Sequence, residues 1–187
     1  MEKEIKKANL GSGGNYLTGY VNVDNNALEK ADVVHDLNRY PYPFQNNEFD
    51  EILASHVIEH LGDPLDFLQE LWRIAKPGAQ ITIKCPHFSC NWLHPRHKSA
   101  ISINLFTFLD HNNSEKYLNA DFQVNSVKMR WLLGRQGKRG RLSARFFNGI
   151  ISGLANLNPA LAERIWCYWV GGFEELIFLV TANKHSD

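Results

Sequence analysis

The sequence has little that would tie it to a membrane span, a disulfide scaffold or a polyanion. No uninterrupted apolar run reaches the roughly 18 residues that a transmembrane helix needs. The opening stretch MEKEIKKANLGSGG is charged and lacks the apolar core of a signal peptide. Three cysteines, an odd number, make no disulfide framework, and a reducing, cytoplasmic setting is expected. Lys plus Arg and Asp plus Glu are both 20, so overall charge points to no nucleic-acid partner. Repeats and low-complexity segments are missing too. What is present is an ordinary globular composition, 44% apolar and 21% charged, over 187 residues. That length predicts one domain spanning 1–187.

Residues 5–10 read as a short strand running straight into Gly11-Ser12-Gly13-Gly14. Residues 20–24 and 31–36 read as two more short strands, each ending on an acid, Asp24 and Asp36. Residues 49–55 read as a buried strand. Asp63 is a plausible N-cap with Pro64 at the first helical position. Leu65, Leu68, Leu71, Trp72 and Ala75 recur at helical spacing, and Pro77-Gly78 stops the helix. A strand over 80–85 follows, then a loop over 86–96, a short helix over 101–109, and late strands over 123–132 and 174–181. Between those last two lies an insertion at about 134–172, in which Phe147, Ile150, Ile151, Leu154 and Leu157 have helical spacing. Strands alternating with helices and loops predict an α/β fold with a parallel, doubly wound sheet.

Three consecutive strand ends carry the chemistry. Glycines after the first allow a tight turn and close approach of backbone to a ligand. Asp24 stands where such folds place an acid against ribose hydroxyls. Asp36-Leu37 offers a carboxylate for an adenine amino group and a backbone N–H for a ring nitrogen. Together the three fit an adenosine site.

The runs NLGSGGNYLTGYVNVD, DVVHDLNRYPYPFQNNEFDEILASHVIEHLGDP and LQELWRIAKPGAQITIKCP resemble class I S-adenosylmethionine-dependent methyltransferases, in the group with a short first crossover. The likeness covers roughly residues 8–110. It implies a Rossmann-like, mostly parallel seven-stranded sheet with a helical insertion before the last strand. It implies S-adenosylmethionine as cofactor, with Gly11, Ser12 and Gly13 beside its methionine part, Asp24 on the ribose, and Asp36 and Leu37 on the adenine. Ser55 and His56 would line the cofactor and face the transferred methyl. Two features depart from the family. Asn9 stands where an acid is usual, and only nine residues separate Gly14 from Asp24, too few for a full crossover helix.

Methyl transfer is a displacement that rests largely on positioning, with a base needed only when the acceptor must lose a proton. Histidine titrates near neutrality, and His60 and His97 are the acid–base candidates, with His56 beside them. His56-x-x-Glu59-His60 matches the H-x-x-E-H of a zinc peptidase class, but it leaves a strand rather than lying within a helix. Some methyltransferases bind a divalent ion through E-x-x-E-H at this place; here His56 replaces the first Glu, and no metal is expected. Cys85, His87, Cys90, His94 and His97 match no standard zinc spacing.

Between Lys128 and Arg145 there are seven Lys and Arg and no acid, followed by Phe146, Phe147, Trp166, Tyr168 and Trp169. Such a segment suits an anionic acceptor or peripheral membrane contact; its plain alternative is a solvated loop with core aromatics. The expected acceptor is an oxygen or nitrogen of a small or glycan-like molecule, with no nucleic acid, since no recognition module is appended. Two other functions fit parts of the pattern. A nicotinamide-dependent oxidoreductase would use the glycine turn and Asp24, but G-x-G-x-x-G is incomplete. A non-catalytic protein on the same fold would account for Asn9 and the short crossover.

Overall fold

The computed structural model describes residues 5–28, 30–91, 94–109, 118–131, 142–169 and 171–184. Seven strands make one sheet: β1 (Lys7–Leu10), β2 (Val21–Asp24), β3 (Val33–Val34), β4 (Phe49–Ser55), β5 (Ala75–Cys85), β6 (Phe122–Arg130) and β7 (Glu175–Ala182). Their order is β3-β2-β1-β4-β5-β7-β6. The first five are parallel to their neighbours, and β7 runs antiparallel to both β5 and β6. The chain builds outward from β1 to β3, then returns to the other side of β1 with β4. The carboxyl ends of β1 and β4 therefore flank a topological switch point, where open α/β sheets hold ligands.

The elements follow from side-chain pattern. In β4, Phe49, Ile52 and Ala54 are buried, and in β1 Ala8 and Leu10 are buried on the same sheet. Helix α1 (Pro64–Ile74) starts where Asp63 accepts from the Leu65 N–H at 2.7 Å, with Pro64 needing no donor. It buries Phe67, Leu68, Leu71 and Ile74 completely. Burial of each such side chain contributes about 1.5–3 kcal/mol.

Several boundaries differ from expectation. β3 shrinks to two residues, because it is an edge strand and Val34 is left 58% exposed with no further sheet to cover it. β5 begins at Ala75, pairs with Phe49, and resumes register at Glu51 and Gln80 after the Pro77-Gly78 turn. A short helix, α2 (Phe88–Asn91), lies in the stretch read as loop. The described residues 11–20 and 35–48, which lead into β2 and β4, contain turns and no helix. Half of the double winding expected from the sequence is thus made of loop.

A residue pair replaces the missing first helix. Asn22 is fully buried; its amide nitrogen donates to the Leu17 and Tyr20 carbonyls, and its Oδ1 accepts from the Leu17 N–H, all at 2.9 Å. These are backbone groups that a helix would satisfy internally.

The insertion forms α3 (Leu142–Leu157) and the turns Pro159–Leu161, Ala162–Trp166 and Cys167–Trp169, the middle one π-helical. Glu163 fastens it to the segment that follows β5. It accepts from His87 Nε2 at 3.1 Å, from the Ser102 hydroxyl at 3.1 Å and from the Ile103 N–H at 3.0 Å. Phe146, Ile150, Leu154, Leu157, Leu161 and Ile165 stay exposed along it. The basic residues at 132–141 lie outside the described residues.

Candidate functional site

Gly11 follows β1 with φ +66°, a left-handed conformation that glycine adopts without penalty. A Cβ there would come within 2.1 Å of Val57 Cγ2, so the end of β4 presses on the glycine turn. Gly13, φ +47°, donates its N–H to Asp24 Oδ2 at 2.8 Å. The turn is thereby clamped to the acid that ends β2. Asp24 Oδ1 accepts from the Asn26 N–H at 2.9 Å.

Asp36 is held by Asn38, whose backbone N–H and side-chain amide donate to its Oδ1 at 3.0 and 3.1 Å. Those bonds hold its carboxyl below the usual range, so it stays an acceptor. Leu37 is fixed from behind. Tyr42 donates its hydroxyl to the Leu37 carbonyl at 3.0 Å, and Tyr42 in turn donates its N–H to Glu70 of α1 at 2.6 Å. Arg73 pairs with Glu70 and donates to the Tyr42 and Phe44 carbonyls. The loop after β3 is positioned by a helix two elements later.

At the end of β4, His56 takes φ +56°, an uncommon conformation for a residue with a side chain. Its Nε2 lies 3.2 Å from Glu175 of β7 and its Nδ1 lies 3.4 Å from Glu59. Both carboxylates are nearly inaccessible, and Arg130 also reaches Glu175 at 3.1 Å. The hydrogen bond to Glu175, then the neighbouring Glu59, push the imidazole up to about 9 against the opposing cost of burial. His56 is therefore cationic at neutral pH. The Glu59 oxygens make no hydrogen bond, so their compensation is this ion pair.

One cavity of about 840 Å³ joins these parts. Gly11, Gly13, Asp24, Asp36 and Leu37 line it together with His56, His60 and His97. Ser12 and Ser55 do not line it. Ser12 is turned inward and 4% exposed, and Ser55 pairs with Lys84 within the sheet. Arg96 and Lys98, in the segment 86–98 that by resemblance carries acceptor contacts, also line the cavity; Val57 and Asn38, which line it too, and Glu175, which contacts His56, were not expected from sequence. Glu175 arrives from the far end of the chain and has no local signal. Asn38 had one, as an Asx residue two positions after an acid. The zinc set weighed around Cys85 is not assembled: Cys85 is a buried strand end, and His87 is buried and spent on Ser89 and Glu163.

The match to known proteins falls on this cavity. Residues 12–83, from the glycine turn through β5, match a family model described as a methyltransferase domain. The likeness is to a methyltransferase domain over that part of the chain, and the fold of the whole is that of S-adenosylmethionine-dependent methyltransferases. Solved structures with the same fold include a SAM-dependent methyltransferase from Archaeoglobus fulgidus, 18% identical, with 95% of this chain and 86% of that chain covered at TM-score 0.59. The YcgJ protein from Bacillus subtilis is 13% identical, with 98% and 93% covered at TM-score 0.59. The [4+2]-cyclase SpnF is 11% identical, with 99% and 78% covered at TM-score 0.57. These identities speak for the fold, and the last name shows that the fold hosts more than one chemistry. A search of curated proteins gives no match.

This methyltransferase-fold chain can be tested for cofactor fit on its own residues. The cavity lies within the roughly 300–1,000 Å³ typical of small-molecule clefts. Two carboxylates at successive strand ends provide acceptors for hydroxyls and an amino group, and the glycine turn leaves backbone uncovered. The residues fit an adenosine-bearing cofactor. Asn9 does not contribute: it is 2% exposed and its amide is spent on Asn15 and Asn22.

Proposed function

We propose that this chain, as one domain over 1–187, transfers a methyl group from S-adenosylmethionine to an oxygen or nitrogen of a small or glycan-like acceptor. The observation that carries this is the sharing of one cavity by Asp24, Asp36 and the left-handed Gly11 with His60 and His97. The cofactor supplies an electrophilic methyl on a sulfonium. An acceptor lone pair forms the new bond to carbon while the C–S pair returns to sulfur. Asp24 would bind the ribose and Asp36 with Leu37 the adenine, which fixes the methyl relative to the histidines. His60 or His97 would take the acceptor proton. His56, held protonated between Glu59 and Glu175, serves as a positioning cation and leaves the base role to the other two. A non-catalytic binding protein on the same fold is the competing reading, for which Asn9 and the short first crossover speak.

Calorimetric titration with S-adenosylhomocysteine, with NADH in parallel, tests the cofactor. Micromolar binding of the first alone is expected; no binding would overturn the reading. Turnover is then tested by radiolabelled methyl transfer across phosphorylated and glycan-like acceptors.

A cytoplasmic location with peripheral membrane contact accompanies this reading. No described helix is long and apolar enough to cross a membrane. Tyr168 and Trp169 are 73% and 84% exposed at the end of the apolar line along the insertion, as interfacial helices present them.

A further inference from the structure

We propose that His60, His94 and His97 form a divalent-metal site, zinc the best fit, at the mouth of the cavity. One ring nitrogen from each lies within 4.8 Å of the others. All three residues line the cavity that holds Asp24 and Asp36. This goes against the expectation of no metal: the sequence offered His60 in one candidate set and His94 and His97 in another, more than thirty positions away, and only the fold joins them.

The cluster is organised by the backbone. The turn Ile58–His60 hangs the later loop: the Lys98 N–H donates to the Glu59 carbonyl at 2.7 Å. His60 Nδ1 lies 3.2 Å from the Arg96 carbonyl, which can only accept. The proton is therefore on Nδ1, and the Nε2 lone pair is left for an ion. That is the usual arrangement of a metal-bound histidine, whose other nitrogen donates to a carbonyl. His94 accepts from the Arg96 N–H at Nδ1 over 3.3 Å, a long bond whose loss frees that lone pair. The His94 and His97 rings stack, with centroids 4.6 Å apart, and His60 meets His97 edge-on at 4.8 Å.

Tetrahedral zinc bonds nitrogen at about 2.0–2.1 Å, which sets ligand nitrogens about 3.4 Å apart. Closure from 4.8 Å needs a shift of about 1.4 Å, within reach of side-chain rotation at an exposed His94. Three histidines leave a fourth position open toward the cavity, the pattern of catalytic rather than structural zinc. An ion there would bind an acceptor oxygen and lower the pKa of its hydroxyl, so that with metal bound His60 and His97 act as its ligands in place of acting as the base, and the proton leaves to water. That role rests on the methyl-transfer reading; metal binding itself does not. Arg96 and Lys98 line the same cavity and favour an anion instead, but both are exposed and screened by salt.

The test is titration of the chelator-stripped full chain with zinc at pH 7.5, and with cobalt(II) followed by visible absorption. One equivalent of zinc at micromolar affinity or tighter is expected, with intense four-coordinate cobalt bands. His60→Ala and His94→Ala should each weaken zinc at least tenfold and abolish the bands, with unchanged melting temperature and unchanged S-adenosylhomocysteine binding. Substoichiometric zinc, or equal affinity in the His60→Ala/His94→Ala double variant, would overturn the site. So would binding of inorganic phosphate in place of zinc. Zinc bound without S-adenosylhomocysteine binding would sink the cofactor reading and leave the metal site standing; the reverse result would do the opposite.

Discussion

Asn9 donates its side-chain amide to Asn22 Oδ1 at 2.9 Å, across the directly opposed pair that joins β1 to β2. The same amide reaches the Asn15 carbonyl at 2.9 Å. Two buried side-chain amides thus pin a crossover that has no helix of its own. The residue that departs from the family pattern is a structural replacement for the element that also departs from it. Asn9→Asp exchanges the donor for a carboxylate facing two acceptor oxygens. It should destabilise the fold by about 1–3 kcal/mol in urea unfolding, the cost of unsatisfied buried polar groups. Equal stability would show the amide pair to be dispensable.

Asp24 is asked to bind ribose while accepting from Gly13 and Asn26. Asp24→Ala should weaken S-adenosylhomocysteine by about 10- to 150-fold, since hydrogen bonds to charged groups contribute roughly 1.5–3 kcal/mol. Asp24→Asn should keep part of the loop structure and recover part of the affinity. Calorimetry on both variants, with melting curves as control, decides; unchanged affinity in the alanine variant removes Asp24 from the site.

His56 gives the chain a pH dependence of known sign. Its imidazole titrates near 9 in the folded chain against an ordinary 6.5 when unfolded. A group raised on folding stabilises fully below its unfolded value and stops doing so as pH passes its folded value. Stability should therefore fall between pH 6.5 and 9, tracked by chemical unfolding at each pH. His56→Asn tolerates the left-handed backbone and should flatten that fall. An unaltered slope would mean that Glu59 and Glu175 do not hold the proton.

The exposed apolar line of the insertion should partition to anionic vesicles. Flotation with phosphatidylglycerol vesicles should capture the full chain, and Tyr168→Ser with Trp169→Ser should reduce capture several-fold. Dimerisation on size exclusion without vesicle binding would assign the face to a second copy instead.

The sequence alone determined most of the strands, the first long helix and several residues that come to line the cavity. Glycine just after β1, an acid closing β2 and another just past β3, and the Asp63-Pro64 helix start are local signals, because turns, caps and strand ends depend on neighbours a few positions away. It also determined that a crossover was too short for its helix. It did not determine what took that helix's place, since Asn9 and Asn22 meet only across strands. Nor did it show that Glu175 lies against His56, or that His60 joins His94 and His97. Those meetings depend on β7 entering antiparallel beside β5 and on a loop hung from the Ile58–His60 turn. Contacts between distant segments are set by how buried faces pack, and only the folded chain brings those faces together.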